Sequence, residues 1–260
     1  MANEYSKAIE KHEAGKREMV ERHVQDSLRG AAIIRGAQAS GHDVHHGEHG
    51  VDFHVHPDVH PAAYGQAARQ IESMTAHSPQ VQAAIRAQNV RVFIYPEGTR
   101  LTDHTPFATL NDRVSTNGVH YEEAGGVANV PHAGARYLAT SEGRRFGGAD
   151  RNQVTDHEVT HAIHFAAEHV QSGKVSDRVG EAKNGRYKES LDYRARQAYD
   201  ARKASGLEFP SHYGGDNHYE YFAEAGSAWH SKSLDGRDRA WMKANDPHMS
   251  KILTDVFGDH

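Results

Sequence analysis

Between Val154 and His169 the chain reads VTDHEVTHAIHFAAEH, and no other stretch limits the possible folds as much. Val159, Ile163, Ala166 and Val170 recur at spacings of four, three and four, which makes one apolar stripe along a helix. At about 100° per residue, that stripe centres about 180° away from His157 and His161. A helix of this pattern needs a core against one side and presents two imidazoles, one turn apart, on the other. Asp150 followed by Gln153 has capping-box form, and Ser172-Gly173 supplies a stop, so the predicted helix begins near Asp150 and ends just past Val170.

Histidines at i and i+4 can bring two ring nitrogens to about 2.0–2.1 Å from one zinc ion, and Glu158, beside the first, can reach a water on that metal. The chain carries 22 histidines, so an H-E-x-x-H string needs support from elsewhere before it counts as a site. A catalytic zinc takes three protein ligands and keeps one position open. With no cysteine in the sequence, disulfides, thiolate metal sites and cysteine nucleophiles are excluded, and a third ligand must be His, Asp or Glu. The extended form H-E-x-x-H-x-x-G-x-x-H is not met: His164 occupies its glycine position and Ala167 its last histidine position. His164 projects on the same helix face but lies about 10 Å along the axis from His157. It reads equally as a residue lining the site and as a plain hydrogen-bonded histidine.

The better third ligand lies downstream, in SHYGGDNHYEYFAEAGSAW, residues 211–229. A Gly-Gly turn precedes a predicted helix with Asn217 near its start. Glu220 and Glu224 lie one turn apart on one face, while Tyr221, Phe222 and Trp229 supply packing surface. Glu220 is the expected third zinc ligand. Glu224 is expected to orient a zinc-bound histidine by accepting its other N–H. The competing reading is an ordinary acidic helix face.

The rest of the chain sets the frame. At 260 residues it can bury one substantial core, with room for an appendage. A formal net charge of −5 provides no basic field for phosphates, so nucleic acid is not an expected partner. The N-terminus has no apolar core of signal-peptide length, and no run of about 18 apolar residues occurs to span a membrane. The expected location is the cytoplasm, or outside the cell by export without a cleavable signal peptide. Residues 4 to 35 read as one long helix or two short ones, weakly amphipathic. The segment GHDVHHGEHGVDFHVHPDVHP then carries seven histidines between His42 and His60. It reads as a polar linker or as a metal-sequestering tract. Residues 1–60 are therefore taken as a helical and His-rich appendage, with a globular α+β domain over 61–260. In that domain helices are expected from Pro61 to about Met74 and from Pro79 to about Ala87. VRVFIY, Val90 to Tyr95, is the best strand; weaker ones are expected at Gly126 to Val130 and Arg136 to Thr140, and helices dominate after Asp150.

HEVTH followed by Tyr213, Glu220 and Glu224 in the pattern Y-x-x-x-x-x-x-E-Y-F-A-E resembles the glutamate-liganded zinc metallopeptidases (gluzincins), and within them the anthrax lethal factor catalytic domain and its relatives. The closing WMKANDPHMSKILTDVFGD looks similar too. The resemblance covers about Asp150 to Asp259, with Val90 to Thr140 as the preceding sheet. It implies a zincin-like metallopeptidase fold: a small mixed β-sheet, an active-site helix and a helix-dominated C-terminal half. It also implies a zinc-dependent endopeptidase acting on protein or peptide substrates, with a toxin or secreted-effector role by analogy. His157, His161 and Glu220 match the family's zinc ligands, Glu158 its general base, and Tyr213 the tyrosine that assists at the substrate carbonyl. Two departures stand out: the long interval from His161 to Glu220, which contains the polar stretch YKESLDYRARQAYDARKASG, and AGSAW in place of a bulkier apolar run. The strand from Arg136 to Thr140 is expected to line the cleft and pair with extended substrate.

Two other classes compete. A non-enzymatic His-rich metal-binding protein would hold several weak metals on the His42–His60 tract and lose them when residues 1–60 are deleted. A structural or phage-like assembly protein would use the His157 helix merely as core and hold no stoichiometric metal.

Overall fold

The computed structural model describes residues 2–41, 43–47, 50–115, 118–143, 145–146, 149–172 and 190–259. Helix α1, Ala2–Ser40, is one continuous element of 39 residues. Its second half crosses α2, Pro61–Thr75, with the two backbones touching. A Cβ on Gly30 would fall 1.7 Å from the Pro61 carbonyl oxygen, and one on Gly65 would fall 1.7 Å from that of Asp26. Arg69 closes the crossing with a fork onto both carboxylate oxygens of Asp26, at 2.9 and 2.8 Å. From Glu10 to Gln25 α1 lies in solvent, and Met19 and Val20 are more than half exposed.

Proline sets the start of the next two helices. Pro61 opens α2 behind His60, whose Nδ1 accepts from the Ala62 N–H. Pro79 opens α3, Pro79–Ala87, behind the Ser78 cap. Both match the sequence reading to within a residue.

The sheet has five strands in the order β1-β2-β3-β5-β4: β1 Val44–His46, β2 Asp52–His54, β3 Val90–Tyr95, β4 Gly126–His132 and β5 Ala135–Ser141. Strands β2, β3 and β5 run parallel, and the two edge strands run antiparallel to their neighbours. The histidine tract, expected as a linker or metal tract, thus contributes an antiparallel pair to the sheet. Val51 and Phe53 hold it there, each 3% exposed and packed into the main core. Side chains alternate along β3. Val90, Val92 and Ile94 face the main core with Leu138, while Phe93 and Tyr95 join Tyr137, Leu101 and Phe107 under the segment 96–124.

Among the described residues after Asp150 helices dominate: α4 Arg151–Ser172, α5 Leu191–Ala204, α6 His218–His230, α7 Arg239–Asn245 and α8 Pro247–Phe257. The stripe of Val159, Ile163 and Ala166 is buried as its period required. The side chains of Asp150 and Val170, and Gly173 as a whole, lie outside the described residues. The opposite face of α4 is covered as well. From Thr155 to His164 every side chain is buried, because α4 packs against β4 and β5 on one side and α6 on the other. The molecule is α+β, with a small mixed sheet, a central helix carrying the histidine pair and a helix-dominated C-terminal half. Among the described residues no helix is long and apolar enough to cross a membrane.

Candidate metal centre

The site is made where α4 and the first turns of α6 face each other. Asn217 caps α6, its side-chain oxygen accepting from the N–H groups of Tyr219 and Glu220 at 3.0 and 3.1 Å, which fixes Glu220 in the first turn. Further along, Gly226 lets the helices approach: a Cβ there would lie 2.3 Å from Thr160 Oγ1. With the axes held this close, Glu220 reaches both rings of α4.

Three atoms converge. His157 Nε2 lies 3.1 Å from His161 Nε2 and 3.1 Å from Glu220 Oε2, and His161 Nε2 lies 3.2 Å from the same carboxylate oxygen. Ligands about 2.05 Å from a tetrahedral zinc are separated by about 3.3 Å, so this triangle fits that ion. The tautomer agrees as well. His157 Nδ1 lies 2.8 Å from Glu224 Oε1; with its proton donated there, the Nε2 lone pair points into the triangle. Glu224 is held in turn by the Leu234 N–H at 2.9 Å. Among the described residues, the histidines of the 42–60 tract form no group of this kind.

The electrostatics of the three groups are mutual. Burial pushes Glu220 toward the neutral form, but His161 and His157 outweigh it and hold its carboxyl well below the usual carboxylate range. Burial likewise disfavours a charged His157, and the carboxylates of Glu220 and Glu224 outweigh it, so the ring holds a proton more tightly than an ordinary imidazole. A divalent cation would displace that proton and answer the same carboxylates. Glu158 behaves differently: burial raises its carboxyl pKa, with the His157 and His161 rings opposing and the neighbouring Glu220 and Glu224 adding to the rise. It is buried in the cleft beside the triangle and lies across Gly126, where a Cβ would sit 2.7 Å from Glu158 Cγ.

Tyr213 comes from a short 3-10 turn, Tyr213–Gly215, and its ring centroid lies 5.7 Å from that of His157. All five residues singled out in the sequence for chemistry, together with Glu224, are therefore in one place. His164 is not. It is fully buried, its Nε2 3.7 Å from Asp192 Oδ1 and its ring against Phe222, away from the triangle.

A cleft of about 460 Å³ opens over the triangle, with Tyr121, Val127, Phe165 and Tyr219 among its walls. The strand along it is β4, contributing Gly126, Val127 and Ala128. The expectation that Arg136 to Thr140 lines the cleft is corrected here. That strand, β5, is paired on both sides by β3 and β4, so its backbone groups are taken, whereas β4 is the edge. The sequence reading also passed over Gly126, Tyr121 and Phe165. Tyr121 and Phe165 carry no motif, and Gly126 reads only as the start of a strand; the three-dimensional approach of Glu158 shows why a side chain is absent there.

No protein-family model matches the chain, and no curated protein matches it. Among solved structures the fold is similar to the PRO-PRO endopeptidase PPEP-2 from Paenibacillus alvei, at 17% identity and a TM-score of 0.48, with 80% of this chain and 97% of that one covered.

Proposed function

We propose that the protein is a zinc-dependent metalloendopeptidase of the glutamate-liganded, lethal-factor-like kind, with His157, His161 and Glu220 as ligands, Glu158 as general base and Tyr213 as oxyanion donor. One observation carries this reading: three ligand atoms 3.1–3.2 Å apart, with the far nitrogen of His157 committed to Glu224. A cation shared by the two imidazole nitrogens and the Glu220 oxygen accounts for the 3.1 Å between those nitrogens.

Held by His157, His161 and Glu220, zinc would supply a water of pKa about 7 and a positive charge to polarise a carbonyl. The chain's own residues do the rest. Glu158, with its pKa raised by burial, takes a proton from the attacking water and returns it to the departing amine. The Tyr213 hydroxyl donates to the oxygen on which negative charge develops, a kind of contact whose loss is worth about 3 kcal/mol. Among the described residues β4 ends the sheet and runs along the cleft, and an extended peptide paired to it would carry its scissile bond to the triangle.

The test is zinc quantification on protein purified without chelator, paired with cleavage of a peptide library. The expected result is one tight zinc per chain and chelator-sensitive hydrolysis. Glu158→Gln should keep the zinc and lose hydrolysis, whereas His157→Ala and Glu220→Ala should lose zinc itself. Full zinc and full activity in Glu220→Ala would overturn the ligand set. The alternative, metal held by the histidine tract, is tested by changing His45, His46, His54 and His56 to glutamine. Deletion of residues 1–60 would also strip Val51 and Phe53 from the core.

A further inference from the structure

The interval between His161 and Glu220 contains a helix that the chemistry above does not use. Helix α5 is anchored at its far end by Arg202, which donates to the Asn245 carbonyl at 2.9 Å and lies 3.2 Å from Asp246 Oδ2. Arg194 pairs with Asp255 of α8. On the side facing the site, α5 sends out two polar groups. Tyr199, 7% exposed, places its hydroxyl 2.8 Å from the Gly215 carbonyl and 3.2 Å from that of Asp216, and it receives the Lys203 ammonium at 2.9 Å. Gly215 and Asp216 close the turn that presents Tyr213, and the Asp216 N–H returns to the Tyr213 carbonyl at 3.1 Å. About two turns earlier on α5, Asp192 is fully buried with Oδ1 2.8 Å from His218 Nε2. His218 opens α6, two residues before Glu220.

Tyr199 bears on backbone and Asp192 on the His218 ring, in the two segments whose placement decides the site. We propose that Tyr199 and Asp192 are positioning residues of the metal centre: Tyr199 fixes the turn that aims Tyr213, and Asp192, through His218, fixes the first turn of the helix that aims Glu220. This assignment rests on the metallopeptidase reading. It gives the polar stretch between the two halves of the site a task, that of a brace spanning both segments from one rigid element. Burial accounts for the choice of groups. A hydroxyl and a carboxylate excluded from water hold their partners in one geometry, where solvated contacts would not.

The two arms predict different losses. Tyr199→Phe keeps the ring packing on Phe209 and removes only the hydroxyl. It should lower kcat about tenfold, with KM and zinc affinity unchanged within about twofold, because Tyr213 acts in the transition state and holds no metal. Asp192→Asn should weaken zinc binding about tenfold in competition with a chromogenic chelator. Arg194→Ala, which loosens the outer side of α5, should change neither quantity and serves as the control for helix stability. Thermal midpoints of the zinc-free proteins are read alongside. If Asp192→Asn does not fold, His218→Asn removes the same contact and gives the zinc reading. Wild-type kcat in Tyr199→Phe, wild-type zinc affinity in Asp192→Asn, or equal losses in Arg194→Ala would each overturn the brace. A wild-type protein with neither zinc nor cleavage would instead overturn the reading of the site on which the brace depends.

Discussion

Glu224 Oε1 stands 2.8 Å from His157 Nδ1, on the opposite side of the ring from Glu220. Glu224 is buried and tied down by the Leu234 N–H, so it fixes both the rotation of the imidazole and the nitrogen that carries its proton. Glu224→Ala is expected to weaken zinc binding by about 10- to 100-fold while leaving all three ligands present. Glu224→Gln, which can still accept the N–H, should lose less. Chelator competition measures both, and equal affinity in Glu224→Ala and wild type would remove Glu224 from the site.

Gly126 makes room for Glu158, the proposed base. An added methyl would meet Glu158 Cγ at 2.7 Å, Oε1 at 2.9 Å and the Ala139 carbonyl oxygen at 3.0 Å. Gly126→Ala should therefore displace Glu158 and lower kcat by about tenfold or more, with zinc content intact. Overpacking of this kind also lowers stability by about 1–3 kcal/mol, read as a shift in the urea midpoint. Unchanged kcat would mean that Glu158 needs no fixed position.

The approach of α4 to α6 depends on Gly226 facing Thr160, where an added Cβ would lie 2.3 Å from Oγ1 and 2.5 Å from Cγ2. Gly226→Ala is expected to push the helices apart, destabilise the fold by about 1–3 kcal/mol and loosen zinc. Thr160→Ala removes both contacting atoms. The double variant should recover zinc affinity relative to Gly226→Ala alone, a coupling that a double-mutant cycle measures. Additive losses would show that the two positions do not act through each other.

Acid should weaken the sheet's outer cover. His54 and His104 both flank Phe93, with His56 packed against the His104 ring, centroids 5.3 Å apart. Burial lowers the His54 pKa, Asp43 opposes in part, and Arg91, His56 and His132 add to the fall. Burial and His56 lower that of His104, against Asp103. A histidine with its pKa lowered on folding takes up its proton first in the unfolded chain, so stability drops as pH falls below about 6.5. His157, whose pKa is raised, works in the opposite sense, so the reading is the difference: between pH 7.5 and 5.5 the urea midpoint of the wild type should lose more than that of His54→Gln. An equal slope in that variant would contradict the assignment.

How much of this was legible in sequence varies by element. The period of Val159, Ile163 and Ala166 gave the buried side of α4, and proline and serine gave the starts of α2 and α3. Val90 to Tyr95 was readable because five of its six residues are β-branched or aromatic and the run ends at a proline. The histidine tract was not readable as strand. β1 and β2 are three residues each, too short to show alternation, and they are held by pairing with β3 and by burial of Val51 and Phe53. The exposed edge was misassigned between β4 and β5 because strand order is a long-range property. The three residues that converge, His157, His161 and Glu220, were legible by spacing. Gly126, Gly226 and Tyr199 were not, since each matters for what comes near it from a distant part of the chain.

His161 and Glu220 meet across an interval of 59 residues in a chain without cysteine. An ion shared between them would act as the chain's cross-link, closing a long loop and removing freedom from the unfolded ensemble, as a disulfide does in other proteins. Stripping that ion would thus do more than silence chemistry: it would untie the middle of the polypeptide from its end, and proteolytic nicking between the two should quicken first.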